Sequence, residues 1–121
     1  MKLSLVLAAV YGLLSVVFGA FGAHALEDKL DAGKLASWET GVRYQMFHAL
    51  ALLAVALLID KGWTLRPVTI CFGVGVLLFS GSIYLLSLGI GPKSLLGPVT
   101  PLGGLTLIIG WAWLAVAALR A

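Results

Sequence analysis

LSLVLAAVYGLLSVVFGAFGAHAL, residues 3–26, runs for 24 positions without a charge. Its length separates the two structures such a run can build. A helix needs roughly 20 apolar residues to cross a hydrocarbon core, at about 1.5 Å of rise per residue. The apolar part of a secretory signal is shorter, roughly 7–15 residues. Lys2 before the run and Ala23-His24-Ala25 at its end imitate a signal with its cleavage site. The length overrides the imitation, and the stretch is read as a retained transmembrane span.

Three more apolar runs follow, at about 43–59, 67–88 and 99–119. The chain of 121 residues is 61% hydrophobic and only 11% charged, with mean hydropathy +1.09. Soluble domains carry roughly 25% charged residues, so this composition belongs in lipid. Lipid offers no hydrogen bonds to the backbone, which makes each run a helix. The expected fold is an all-α membrane protein: one four-transmembrane-helix bundle over residues 1–121, connected by Glu27–Val42, Asp60–Arg66 and Gly89–Pro98.

Two connections carry further signals. Thr100-Pro101 has the chemistry of an N-cap followed by a first helical residue, and predicts that the fourth helix starts there. The first connection is long and partly interfacial. From Ala32 it reads as helix running into the second span, with Leu35, Trp38 and Val42 on one face and Glu39–Arg43 as an i, i+4 pair.

An even number of spans places both termini on one side with the Asp60–Arg66 turn. Basic residues tie across the membrane: Lys2, Lys61, Arg66 and Arg120 against Lys29, Lys34, Arg43 and Lys93. Lys2 directly ahead of the first span points to cytoplasmic termini of a multi-pass protein in the cell membrane. The net charge of +3 comes without any Lys/Arg cluster, so nucleic acid is not an expected partner; the lipid bilayer is. The single Cys71 has no partner for a disulfide or a metal site.

Helical periodicity adds a second layer. Ala8, Gly12, Ser15, Gly19 and Ala23 form a small-residue stripe with Gly22 beside it, suited to close helix packing within the chain or between copies in a homo-oligomer. Inward faces are expected from Gly41, Gln45, His48, Leu52 and Ala56; from Thr69, Gly73, Ser80, Tyr84 and Ser87; and from Thr100, Gly103, Gly104, Leu107 and Trp111.

His24, Gln45, His48, Ser80, Ser82, Tyr84 and Thr100 all fall in the half nearest the first and third connections. Polar groups in lipid turn inward, so this half is the candidate binding site. The chemistry available there is limited. His24 and His48 could serve as axial haem ligands if they faced each other at one depth, but no third metal ligand lies in the spans, so no metal or cofactor is expected. The five acidic residues sit in connections or at span ends, which argues against proton-coupled export. Ser80 and Ser82 flank Gly81 with no acid to orient a histidine base, so an enzyme is not expected. Free amides at Thr100–Gly104, with Arg43 at the same level, could hold a small anion or a lipid headgroup. Two functions remain open: an interaction or scaffold module, and a binding or permeation protein for such an anion.

Four ordered motifs, Gly19-Ala-Phe-Gly-Ala-His24, Tyr44-Gln-Met-Phe-His-Ala-Leu50, Phe79-Ser-Gly-Ser-Ile-Tyr84 and Thr100-Pro-Leu-Gly-Gly104 with Gly110-Trp111, resemble the family called domain of unknown function 423. Its bacterial members are small inner-membrane proteins, with a eukaryotic relative called transmembrane protein 256. The resemblance covers essentially the whole chain. It implies a four-span membrane protein with no assigned biochemistry, and its motifs fall on the seven polar residues gathered above.

Overall fold

Asp31 shows how local chemistry sets a helix boundary. Its carboxylate accepts the Lys34 backbone N–H at 2.8 Å, satisfying one of the amides a helix start leaves free. In the computed structural model, which describes residues 1–121, this cap opens the second of four helices. They are α1 (Lys2–His24), α2 (Ala32–Asp60), α3 (Arg66–Leu88) and α4 (Lys93–Arg120). All four are long and apolar enough to cross a membrane. α3 stops at Gly89, whose φ of 72° lies in the left-handed region that glycine enters without steric cost.

α2 takes in the end of the first connection as one continuous helix. Its early turns lie beside the end of α1, where Gly22 meets Trp38 and Gly19 meets Val42. The start of α4 differs from the sequence expectation. The helix begins at Lys93 and runs through both Pro98 and Pro101, so Thr100-Pro101 is no helix start. Each proline supplies no N–H, which leaves the carbonyls of Ser94 and Gly97 without intrahelical partners. Both residues are exposed, so those carbonyls are open to solvation and the helix tolerates the loss.

Packing follows chain order. α1 lies against α2, α2 against α3 and α3 against α4; α1 approaches α3 only narrowly, and α4 touches neither α1 nor α2 through its backbone. The closest approach is between α3 and α4. A Cβ on Gly103 would collide with the Phe79 amide nitrogen and come within 2.8 Å of the Leu78 carbonyl carbon. Glycine there permits the backbone contact that replaces the hydrophobic effect as the source of packing energy in lipid. The apolar core lies toward the Asp60–Arg66 turn, around Leu52, Val55, Leu65, Val68, Phe72 and Val76, with Leu107 of α4 packed into it.

Candidate functional site

Gln45 joins three helices. It is buried on α2; its Nε2 donates to the Tyr11 carbonyl of α1 at 3.0 Å, and its Oε1 accepts the Tyr84 hydroxyl of α3 at 2.6 Å. The amide orientation is fixed by chemistry, because a carbonyl can only accept. Tyr11 continues the chain, donating its hydroxyl to the Gly73 carbonyl of α3 at 2.6 Å. α1 and α3 barely approach through their backbones, so polar side chains bridge the gap. Ser4 and Thr69 do the same at 2.6 Å between hydroxyls. Ser80 donates to the Gly41 carbonyl at 2.7 Å, and Trp38 to the Phe18 carbonyl at 2.9 Å.

His48 ties α4 in. Trp111 Nε1 donates to His48 Nε2 at 3.0 Å, so that nitrogen is the unprotonated acceptor. Nδ1 therefore carries the proton and donates to the Tyr44 carbonyl at 2.7 Å. Ser82 and Thr100 form a hydroxyl pair at 2.5 Å between α3 and α4. No buried polar side-chain atom lacks a hydrogen-bond partner.

Six of the seven expected residues thus take part in contacts between helices, although not as one pocket. His24 does not join them. It is exposed at the end of α1. The haem arrangement fails on the same geometry. Gly22 against Trp38, and Gly12 against Ala49, place His24 level with position 37 of α2. That is eleven residues from His48, about 16 Å along the axis. Both His48 nitrogens are also engaged. No cluster of three or more His, Cys, Asp or Glu side chains is assembled. The anion cradle at Thr100–Gly104 is absent as well, because those positions lie inside α4 and their amides do not open a helix.

The polar groups are not confined to one half. His48 lies beside Ala49, which meets Gly12 at the midpoint of α1, and Ser4–Thr69 lies at the far end. The bonds form a rail along the depth of the bundle. The small-residue stripe faces α2 of the same chain through Gly12, Gly19 and Gly22, while Ala23 is exposed. Gly81 has open space around it rather than a close neighbour.

Sequence reading missed Tyr11 and Ser4 as rail members. The signal was present: Ser4, Ala8, Tyr11, Ser15 and Gly22, all buried on α1, repeat at intervals of three, four and seven, a face that shares Ala8, Ser15 and the adjoining Gly22 with the small-residue stripe and adds Ser4 and Tyr11. Trp38 was visible only as an apolar helix residue. Its indole N–H gains meaning from the exact level at which it meets α1.

Of the seven candidate residues only Thr100 lines a principal surface groove. One of about 690 Å³ lies on the loop side, lined by Ser37, Thr40, Ser87 and Thr100 with Asp31 and Lys34. Another, of about 970 Å³, lies at the end carrying the termini.

The sequence pattern of the family described as "Protein of unknown function (DUF423)" matches residues 18–104. The chain is similar to the UPF0382 membrane protein YwdK of Bacillus subtilis, 46% identical over 99% of this chain and 98% of that protein. It is 46% identical to a UPF0382 membrane protein of Schizosaccharomyces pombe, covering 90% of this chain and 95% of the relative. The UPF0382 inner membrane protein YgdD of Escherichia coli is 36% identical over 98% of this chain and 91% of its own length. No solved structure matches the chain significantly.

Proposed function

The chain belongs to the DUF423 family, a family of multi-pass membrane proteins of unknown function, and we propose that its polar rail is a structural network that makes the protein a small interaction module of the inner membrane. The observation that carries this reading is the completeness of the rail. Gln45, His48 and Tyr84 spend their polar atoms on other helices or on backbone, and none of the three lines a principal groove. A solute site needs polar groups held ready for a guest. Here they are held by each other, which fixes the register of the helices.

The same reading supports self-association. α1 and α4 do not meet, and Leu13, Val16 and Ile108 are each more than 60% exposed. Such faces suit lipid or a second copy. We place the termini in the cytoplasm, on the strength of Lys2 ahead of the first span.

The test is native mass spectrometry of protein extracted gently from its own membrane, comparing wild type with a His48→Ala, Tyr84→Phe double variant. The expected result is an oligomer with no small-molecule mass that depends on these residues, and lower thermal stability in the variant. A defined bound mass lost in the variant would sink the structural reading.

A second reading, binding of a small polar solute, is favoured by the loop-side groove, where Ser87 is only 4% exposed yet lines the wall. It predicts a bound mass that Ser87→Val removes and His48→Ala leaves in place.

A further inference from the structure

The end of the bundle that carries the termini has a groove unrelated to the polar rail. It runs between the Lys61–Thr64 turn and the last turns of α4, with a volume of about 970 Å³. Its walls change character along their length. Lys61 and Arg120 stand at the membrane-surface end, while Ile109, Trp113 and Val116 line the part along α4. Ile109 and Arg120 are eleven residues apart on α4, so the groove extends about 16 Å inward. One leaflet of a bilayer has roughly 15 Å of hydrocarbon. The groove therefore spans one leaflet, charged at the headgroup and apolar along the chain.

The charge at this end is predominantly positive. Lys2, Lys61, Arg66 and Arg120 lie here with Asp60 as the sole acidic side chain, whereas Glu27, Asp28, Asp31 and Glu39 all lie at the opposite end. No acidic side chain lines the groove. Trp63 supplies an indole ring, which favours the boundary between headgroups and hydrocarbon.

We propose that this groove binds one anionic phospholipid from the leaflet that holds the termini. Its phosphate lies between Lys61 and Arg120, and an acyl chain lies against Ile109, Trp113 and Val116. A free phosphate would use only the charged end and leave the apolar length empty; a zwitterionic lipid would gain little from two cations.

The experiment is native mass spectrometry of delipidated full-length protein in detergent. It is titrated separately with phosphatidylglycerol, with phosphatidylcholine of the same acyl chains, and with inorganic phosphate. Wild type is compared with a Lys61→Gln, Arg120→Gln variant and with a Lys34→Gln, Lys93→Gln variant at the other end. All four positions are exposed, so folding is not at stake. Wild type is expected to saturate with one phosphatidylglycerol. Loss of Lys61 and Arg120 should weaken that binding about thirtyfold, the product of two basic-residue attractions to an anionic headgroup. The control variant should bind as wild type does. Equal phosphatidylglycerol affinity in wild type and the Lys61→Gln, Arg120→Gln variant would overturn the proposal. So would phosphatidylcholine binding as tightly as phosphatidylglycerol, or inorganic phosphate displacing the lipid. Phosphatidylglycerol with brominated acyl chains tests the apolar length independently. It should quench tryptophan fluorescence in wild type and lose most of that quenching in Trp113→Phe; unchanged quenching would refute the acyl placement.

Discussion

Replacing Tyr84 by Phe removes one oxygen and asks what a single bond in the rail is worth. The Tyr84 hydroxyl donates to Gln45 Oε1 at 2.6 Å, and Gln45 is 3% exposed. Hydrogen bonds between membrane helices average about 0.6 kcal/mol and reach about 1.7 kcal/mol. A short bond in a nearly dry setting belongs in the upper part of that range. Tyr84→Phe also orphans the Gln45 oxygen, so a loss of about 1–2 kcal/mol is expected. Gln45→Leu deletes the bond to the Tyr11 carbonyl as well, for about 1.5–3 kcal/mol. The double variant leaves neither partner of the shared bond orphaned. It should therefore be less damaging than the two single losses together, by roughly 1 kcal/mol. The assay is unfolding by sodium dodecyl sulfate in mixed micelles, followed by far-ultraviolet circular dichroism for all four proteins. Strict additivity, with a coupling below about 0.3 kcal/mol, would mean that the two side chains do not share a bond.

Two further outcomes follow from the geometry. His48 should be the Nδ1–H tautomer, readable from its ring ¹⁵N shifts, because Trp111 occupies Nε2; Trp111→Phe should release that constraint and let the other tautomer appear, and identical spectra would show that the bond does not form. Gly103→Ala should destabilise the protein by roughly 1–3 kcal/mol, because its Cβ meets the α3 backbone, while Gly97→Ala should be neutral or slightly stabilising because nothing lies within 4 Å. Equal unfolding midpoints for those two variants would place the α3–α4 contact elsewhere.

The spans were legible because hydrocarbon leaves a polypeptide little choice. A run such as residues 3–26 has to be a helix, and its length has to match the membrane. The start of α4 was not legible, because Thr100-Pro101 is chemically a good helix opening. Only the exposure of Ser94 and Gly97, whose carbonyls lose their partners, explains why the helix runs through. The inward face of α2 was read correctly from Gly41 to Ala56, since Gln45 and His48 end in polar groups that lipid cannot satisfy. On α1 the small-residue stripe left out Ser4 and Tyr11. Tyr11 is polar only at its tip, and the tip matters only because Gly73 presents a carbonyl to it. Relative depth was beyond a single sequence. The level at which two helices meet is set by particular contacts, such as Gly22 on Trp38 and Gly103 on Phe79, and no local pattern encodes which residue meets which.

The sequential packing of the helices has a consequence for how the protein is made. Every helix after the first packs against its predecessor in the chain, so each new span has a docking surface as it leaves the insertion machinery. Low sequence separation between partners is what makes assembly fast. The bond from Trp111 back to His48 forms only when the last span has arrived. It acts as a latch on a finished chain, and a protein truncated within α4 before Trp111 would hold its first three helices together while lacking that closing tie.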